Sequence, residues 1–320
     1  MQGVILAAGK GTRLKPVTLT RTKAMAPILG KPIVERVIED LADNGINDII
    51  MVVSPDDDEI KRYFEEESAL DITIKFVDQK TRKGMGDALR YAIPYIKDDF
   101  VLSACDNLVS GADIRKMIKL WKDSRNLDGL LVLMEIPDKD IPNSGIVEMD
   151  GEWVKRIVEK PSLEEAPSNT GSMPLYCFSN RILEYIPRIP ISRRGEYELQ
   201  DAIQMLIQDG NNIKGLQIES RLTLTSPADL LAINIEYMSE TDHDTIIIDS
   251  PQIGRNTHLI TPVVIDPGVV IGANCRIGPN AYIERDSRIG EGARIRDAIV
   301  LRKSNISDGT SIEGQVVYRD

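Results

Sequence analysis

The sequence predicts an α/β domain built on a mostly parallel sheet, followed by a smaller domain of stacked six-residue repeats. Three observations carry this. A short, continuously apolar run from Val4 to Ala7 feeds straight into a glycine-rich basic loop. Apolar runs then alternate with helical patterns as far as the strand GLLVLMEI, the mark of a parallel sheet, before a β excursion that turns at Gly151. From Ile253 onward an aliphatic residue recurs every six positions. A length of 320 residues suits one domain of ordinary size plus a smaller one. The boundary is expected between Asp242 and Thr245, dividing the chain into residues 1–241 and 242–320.

Hydrophobic residues make up 42% of the chain and charged residues 28%, enough for real cores inside a soluble surface. The net charge of −11 argues against indiscriminate binding to nucleic acid or to an anionic membrane. A cluster of cations in so acidic a chain is therefore informative. Cys105, Cys177 and Cys275 are odd in number and show no CxxC spacing, so neither a disulfide framework nor a zinc site is expected. The first apolar run is too short for a signal-peptide core or a membrane span, and the cytoplasm is the expected location.

After the first strand, Gly9 and Gly11 can take positive φ and let backbone N–H groups approach an anion. Lys10, Arg13, Lys15, Arg21 and Lys23 follow, five cations within fourteen residues, enough to surround a triphosphate. The loop is neither of the common phosphate motifs: no Lys-Ser/Thr follows the last glycine, and Leu14 stands where a dinucleotide fingerprint needs its third.

GxGTRLxPxT, then Lys23, then PxxGKP resembles the signature of the sugar-1-phosphate nucleotidylyltransferases, which make NDP-sugars from an NTP and a sugar 1-phosphate. The resemblance implies a Rossmann-like domain in which Arg13 and Lys23 are catalytic and Leu6, Ala8, Gly9, Gly11 and Thr12 bind nucleotide. Thr22 replaces the proline that the family writes before the lysine, and leaves the cation in place.

The chain continues with a helical face of Val34, Val37, Ile38, Leu41 and Ala42 closed by Gly45, a strand from Ile49 to Val53, a polar helix over 56–67 and a strand ending at Val77. Gln79 and Gly84 follow, and by resemblance they read the nucleobase, most typically uracil or thymine; Met85 stands where some uridylyl members have Thr. Phe100 to Ala104 reads as the next strand, and Asp106 at its carboxyl end is placed to hold Mg²⁺ against phosphates. On the sugar side the resemblance assigns Gly145, Glu159, Lys160 and Asn169, with Glu159 accepting from hydroxyls and Lys160 neutralising the sugar phosphate. Ser144 and Gln200 depart from the Tyr and Thr of many relatives and leave the sugar open. At the second metal position Thr223 stands where relatives have Asp; Glu219, four residues upstream, is a substitute.

The repeats place Ile253, Leu259, Ile265, Ile271, Ile277, Ile283, Ile289, Ile295 and Leu301 in one phase, which then slips to Ile306 and Ile312. A bulky residue fills the interior of a triangular coil and a smaller one lies near its corner. The pattern resembles the left-handed parallel β-helix and is expected to serve as an oligomerisation or stabilising platform. His243 precedes the repeats and His258 reads as a coil surface residue.

The expected activity is attack by a sugar 1-phosphate on the α-phosphorus of UTP or dTTP, with glucose 1-phosphate or N-acetylglucosamine 1-phosphate favoured and Mg²⁺ as cofactor. Three alternatives stand beside it: a non-catalytic nucleotide-sensing member of the same fold, suggested by Thr223; an acyltransferase in the repeats; and a cytidylyltransferase acting on a non-sugar phosphate.

Overall fold

The computed structural model describes residues 1–240, 245–247 and 252–319. The chain groups into two compact units, Met1–Gly9 with Val34–Leu222, and Lys10–Ile33 with Thr223–Asp320. The expected boundary at 241–242 and His243 both lie outside the described residues.

The first unit is a nine-stranded sheet. In chain order its elements begin with β1 (Gln2–Leu6), α1 (Ile33–Ala42), β2 (Asp48–Val53), β3 (Thr73–Asp78), α2 (Met85–Ala92), β4 (Phe100–Ala104) and α3 (Gly111–Asp123). They continue with β5 (Gly129–Glu135), β6 (Gly145–Asp150), β7 (Trp153–Glu159), β8 (Thr170–Phe178), α4 (Leu199–Gln208) and β9 (Ile213–Gln217). The strand order is β3-β2-β1-β4-β8-β5-β9-β7-β6.

The alternation of apolar runs and helices predicts the parallel half: β1 pairs in parallel with β2 and β4, and β2 with β3. The antiparallel β8, wedged between β4 and β5, is a non-local pairing that no local pattern announces. The core is drawn from strand and helix faces in the expected way: Val4, Ile50, Val52, Leu102, Tyr176 and Phe178 from the sheet meet Leu89, Ala202 and Ile203 from α2 and α4. Gly45 closes α1 at φ +84, with its N–H on the Ala42 carbonyl at 2.8 Å. The polar segment after β2 is a short α-helix, Asp58–Arg62, capped by Asp57 and continued by a π-turn over Tyr63–Glu67.

In the second unit the repeats form a coil of parallel strands. Ile253 stacks on Ile271 and Ile271 on Ile289; Leu259 on Ile277 and Ile277 on Ile295; Ile265 on Ile283. Three hexads therefore make one turn, and the aliphatic side chains from Ile265 onward are buried in a common core with Val263, Val269, Cys275, Ala281 and Ala293. Small residues follow the aliphatics because the next turn lies against them: a Cβ on Gly272 would sit 2.7 Å from Glu291 N, and one on Gly290 2.5 Å from Asp308 N.

The phase corrects the sequence reading at one point. Ile283 stacks on Val300, not Leu301, and Ile289 then stacks on Ile306 and Ile295 on Ile312. The turn shortens by one residue before Val300, so Leu301, although buried, is not the stacked aliphatic. On one face the residues pointing away from the coil core, Val264, Tyr282, Ile299 and Val316, are buried as well. Helix α5 (Pro227–Glu240) packs on the strands of this face, and the 10–33 segment hydrogen-bonds to it. His258 is exposed, its backbone paired with Arg276.

Candidate active site

The phosphate loop leaves β1 at Ala7, whose N–H bonds to the Val52 carbonyl at 2.8 Å. Leu6 and Ala8 are buried and Gly9 is exposed. Only Gly11 of the two loop glycines takes the left-handed conformation, at φ +58, so the expectation of positive φ at Gly9 is corrected. A Cβ on Gly11 would meet Lys23 Cβ and Thr18 Cγ2 at 3.0 Å, and Thr18 Oγ1 donates to the Gly11 carbonyl at 3.0 Å. Lys23 is thus folded back beside Gly11, while Thr12 and Arg13 stand exposed in a 3₁₀ turn.

Lys10, Arg13 and Lys15 are exposed. Arg21 is not: it forms a two-pronged ion pair with Glu284 at 2.5 and 2.8 Å, both side chains at most 5% exposed. The set of five cations around a triphosphate is therefore corrected to four. A guanidinium with both terminal nitrogens on one buried carboxylate has no geometry left for a phosphate.

In the first unit, Gln79 is buried at the end of β3 and donates from Nε2 to Asp87 Oδ2 at 2.8 Å. Asp87 also accepts from Thr81 Oγ1 at 3.3 Å, so the carboxylate fixes the amide and the loop together. The glycines beside it answer to a contact within the chain. Gly84 (φ +95) and Gly86 receive the chain's own backbone: a Cβ on either would lie 2.8 Å from the Tyr197 carbonyl, to which the Gly86 N–H donates at 2.9 Å.

Asp106 follows β4, whose neighbour Cys105 bonds through its N–H to the Leu6 carbonyl at 3.3 Å. Arg221, absent from the sequence assignment, lies within electrostatic reach of Asp106 and donates to Asn107 Oδ1 at 2.6 Å. Burial pulls the pKa of Arg221 down, and the Asp106 carboxylate opposes that. Glu219 is exposed, and among the described residues no three His, Cys, Asp or Glu side chains group as a metal site. As a single carboxylate, Asp106 could give a Mg²⁺ one protein oxygen, with phosphates and water to supply the others.

Gly145, Glu159, Lys160 and Gln200 come together. Gly145 and Glu159 are register partners across β6 and β7, and a Cβ on Gly145 would lie 3.1 Å from Glu159 Oε2 and 3.2 Å from Gln200 Nε2. Glu159 Oε1 is engaged by Lys160 Nζ and Arg194 Nη2, both at 3.4 Å, while Oε2 is buried with no hydrogen-bond partner. Burial raises the Glu159 pKa; the Lys160 ammonium opposes it, Glu198 adds to it and Arg194 opposes it again. Lys160 itself sits at φ +48, a conformation that L-residues rarely take, with its N–H on the Ser144 carbonyl at 2.9 Å. Asn169 is exposed and stands three residues ahead of Ser172, the strand partner of Gly145. Tyr176, bonded to Ser172 at 2.7 Å, lies within electrostatic reach of both Glu159 and Arg221, linking the two ends of this unit's polar set.

Sequence reasoning missed Arg194, Arg221 and Asp87. Arg194 lies in a basic pair, Arg193-Arg194, and Asp87 opens a helix, so both carried a faint signal. Arg221 lies between Glu219 and Thr223, a stretch whose signal in the sequence is the second carboxylate position.

Comparison with known proteins places the chain in a family. The nucleotidyl transferase family profile matches residues 2–220, and the C-terminal domain profile named GMPPB matches residues 259–320. The chain is 29% identical to a glucose-1-phosphate thymidylyltransferase of Streptomyces antibioticus, covering all of this chain and 92% of that protein. It is 32% identical to the UTP–glucose-1-phosphate uridylyltransferase AglF of Haloferax volcanii over 77% of this chain and all of that one. A bifunctional protein GlmU of Methanococcus maripaludis is 33% identical over 85% of this chain, which spans 62% of that relative's length. Among solved structures, a UDP-glucose pyrophosphorylase with UDP-glucose shares the fold at a TM-score of 0.68 and 22% identity, over 75% of this chain and 99% of that one. On the match over residues 2–220, the chain belongs to the nucleotidyl transferase family.

Proposed function

We propose that this protein transfers a nucleotidyl group from an NTP to a sugar 1-phosphate, as an enzyme of NDP-sugar synthesis. The observation that carries the reading is the convergence of Gly145, Glu159 and Gln200 around a buried carboxylate oxygen, Glu159 Oε2, that lacks a partner within the protein. A buried acceptor left in this state costs free energy, and a sugar hydroxyl is a donor that would satisfy it. Lys160, held beside Glu159 in a strained backbone conformation, supplies the cation for the sugar phosphate.

In the reaction, a non-bridging oxygen of the sugar 1-phosphate forms a bond to the α-phosphorus, the bond from that phosphorus to the bridging oxygen breaks, and pyrophosphate leaves with the electron pair. Both reactants are anions, so the protein's tasks are neutralisation and in-line positioning. Arg13 and Lys23 serve the triphosphate and departing pyrophosphate. Asp106 would hold Mg²⁺, which when bound supplies further neutralising charge to the phosphates. Gln79, fixed by Asp87, reads the base, with UTP or dTTP favoured, and glucose or N-acetylglucosamine 1-phosphate is the favoured acceptor.

We also read the coil as a left-handed parallel β-helix that supports a homo-oligomer in the cytoplasm; turns of three hexads with small residues at the corners favour this. A second reading, a nucleotide-sensing member without turnover, is favoured by one observation: a cation, Arg221, stands beside Asp106 and Thr223 replaces the second carboxylate. The deciding experiment is pyrophosphate release with Mg²⁺ across UTP, dTTP, CTP, GTP and ATP against glucose, N-acetylglucosamine and mannose 1-phosphates. Release that requires one NTP and one sugar phosphate together is expected; nucleotide binding with no release for any pair selects the sensing reading.

A further inference from the structure

The phosphate loop does not hold its own shape. Between Gly11 and Ile33 it has only short 3₁₀ turns and a two-residue hairpin, Pro27–Ile28 with Lys31–Pro32. Helices this short are marginal by themselves, so its conformation has to be imposed from outside.

The coil and α5 impose it. Glu284 takes both terminal nitrogens of Arg21 and, through Oε2, the backbone N–H of Arg302 at 2.8 Å. The Arg302 guanidinium donates to the Thr20 carbonyl. Two residues before Glu284, on the same turn, Tyr282 accepts from the Gly30 N–H at 3.1 Å and donates to Asp266 at 2.7 Å. From α5, the fully buried Asn234 accepts from the Leu29 N–H at 3.0 Å and donates to the Pro27 carbonyl at 3.1 Å. The segment is thus pinned at Thr20-Arg21 and again at Pro27 to Gly30, on either side of Lys23. The burial is not for the segment's own benefit: Thr20 Oγ1, Arg21 Nε and Thr22 Oγ1 are all buried without hydrogen-bond partners.

We infer that the coil sets the geometry of the phosphate loop, and that Glu284 is a positioning residue acting through Arg21 on Lys23 and Arg13. This rests on the reading that the loop binds the NTP. It gives the coil a role in turnover beyond a platform for assembly. A charge-assisted two-pronged bond fixes direction as well as distance, and small displacements of cations aimed at a transition state cost rate more than they cost substrate binding.

The test uses the full chain with Glu284→Gln, which keeps size and one oxygen while removing the charge. Amide exchange is followed across peptides of the 10–33 segment with and without UTP, and pyrophosphate release is measured with NTP and sugar phosphate varied separately. Exchange in 10–33 is expected to rise about tenfold while β1, β2 and β4 stay protected as in the wild type. Turnover is expected to fall roughly tenfold to a hundredfold with the KM for sugar 1-phosphate unchanged. In the double variant with Arg21→Gln, the turnover loss should be no larger than in either single variant. Unchanged exchange in 10–33, unchanged turnover beside faster exchange, or additive losses overturn the inference. If Glu284→Gln loses protection everywhere, Tyr282→Phe, which removes only the hydroxyl facing Gly30 and Asp266, is put to the same exchange and turnover criteria. A wild-type protein without pyrophosphate release defeats the reaction reading alone, because the exchange readout still decides whether Glu284 holds the loop.

Discussion

The amide nitrogen of Gln79 donates to the carboxylate of Asp87 at 2.8 Å, eight residues on and inside the first turn of α2. With that nitrogen committed, the orientation of the amide is set, and its carbonyl is the end left for a base edge. Asp87→Asn removes the obligatory acceptor and lets the amide flip. The expected result is a loss of base discrimination: the ratio of kcat/KM for the preferred NTP over the next best falls by about tenfold, roughly 1.4 kcal/mol, with KM for the sugar phosphate unchanged. Competition kinetics between two NTPs measure it directly. An unchanged ratio would remove Asp87 from base selection.

What the sequence disclosed follows from how local each cause is. Val4 to Leu6, the face of α1 and the stacked aliphatics of the coil are legible because burial imposes a period on neighbouring residues. Arg21 looked like one more loop cation because its partner, Glu284, lies 263 residues away. Val300 and Leu301 are both aliphatic, so the composition could not say which one the shortened turn stacks. Gly84 reads from the sequence as a nucleobase contact, yet the backbone lying against it and against Gly86 is that of Tyr197, brought in by tertiary folding. Gly145, Glu159 and Lys160 were assigned by family resemblance, and the structure brings them together. No pattern in the sequence could have added the orphaned Oε2.

That orphan gives a prediction on the sugar side. A methyl group at Gly145 would stand 3.1 Å from Glu159 Oε2 and 3.2 Å from Gln200, close enough to fill the space beside the acceptor. Gly145 is not in the left-handed region, so Gly145→Ala carries no backbone penalty of that kind. KM for the sugar 1-phosphate should rise about tenfold, KM for the NTP should hold, and the melting temperature should fall by only a few degrees. Steady-state kinetics with each substrate varied in turn separate the two. A rise confined to the NTP would place Gly145 on the other substrate.

Arg221 gives a prediction on metal dependence. A guanidinium within reach of Asp106 already compensates part of that carboxylate's charge, so Mg²⁺ approaches against a like charge. Arg221→Ala removes the repulsion, and the Mg²⁺ concentration for half-maximal turnover should fall about fivefold, roughly 1 kcal/mol. Titration with Mn²⁺ followed by its paramagnetic signal checks binding independently of rate. Unaltered metal affinity would mean that Arg221 and the ion do not share Asp106.

Asp266 gives a prediction on pH. Its carboxyl is pushed up to about 6, chiefly by burial, with the Tyr282 hydroxyl opposing, Glu284 adding and Arg285 opposing, and its Oδ1 has no partner. A carboxyl whose folded pKa lies above its unfolded value of 3.8 binds its proton more tightly when folded. Its effect is therefore a loss of stability as pH rises from about 4 to about 6, complete above that, on the order of 3 kcal/mol. Asp266→Asn keeps an acceptor for the Tyr282 hydroxyl and abolishes the titration. Relative to wild type, the variant should melt higher at pH 7.5 than at pH 4.5 by several degrees, as measured by calorimetry at the two pH values. Asp40, also pushed up to about 6 by burial, is common to both proteins and cancels in the difference. Parallel melting curves for the two proteins across this range would mean that Asp266 is ionised at no cost in the folded coil.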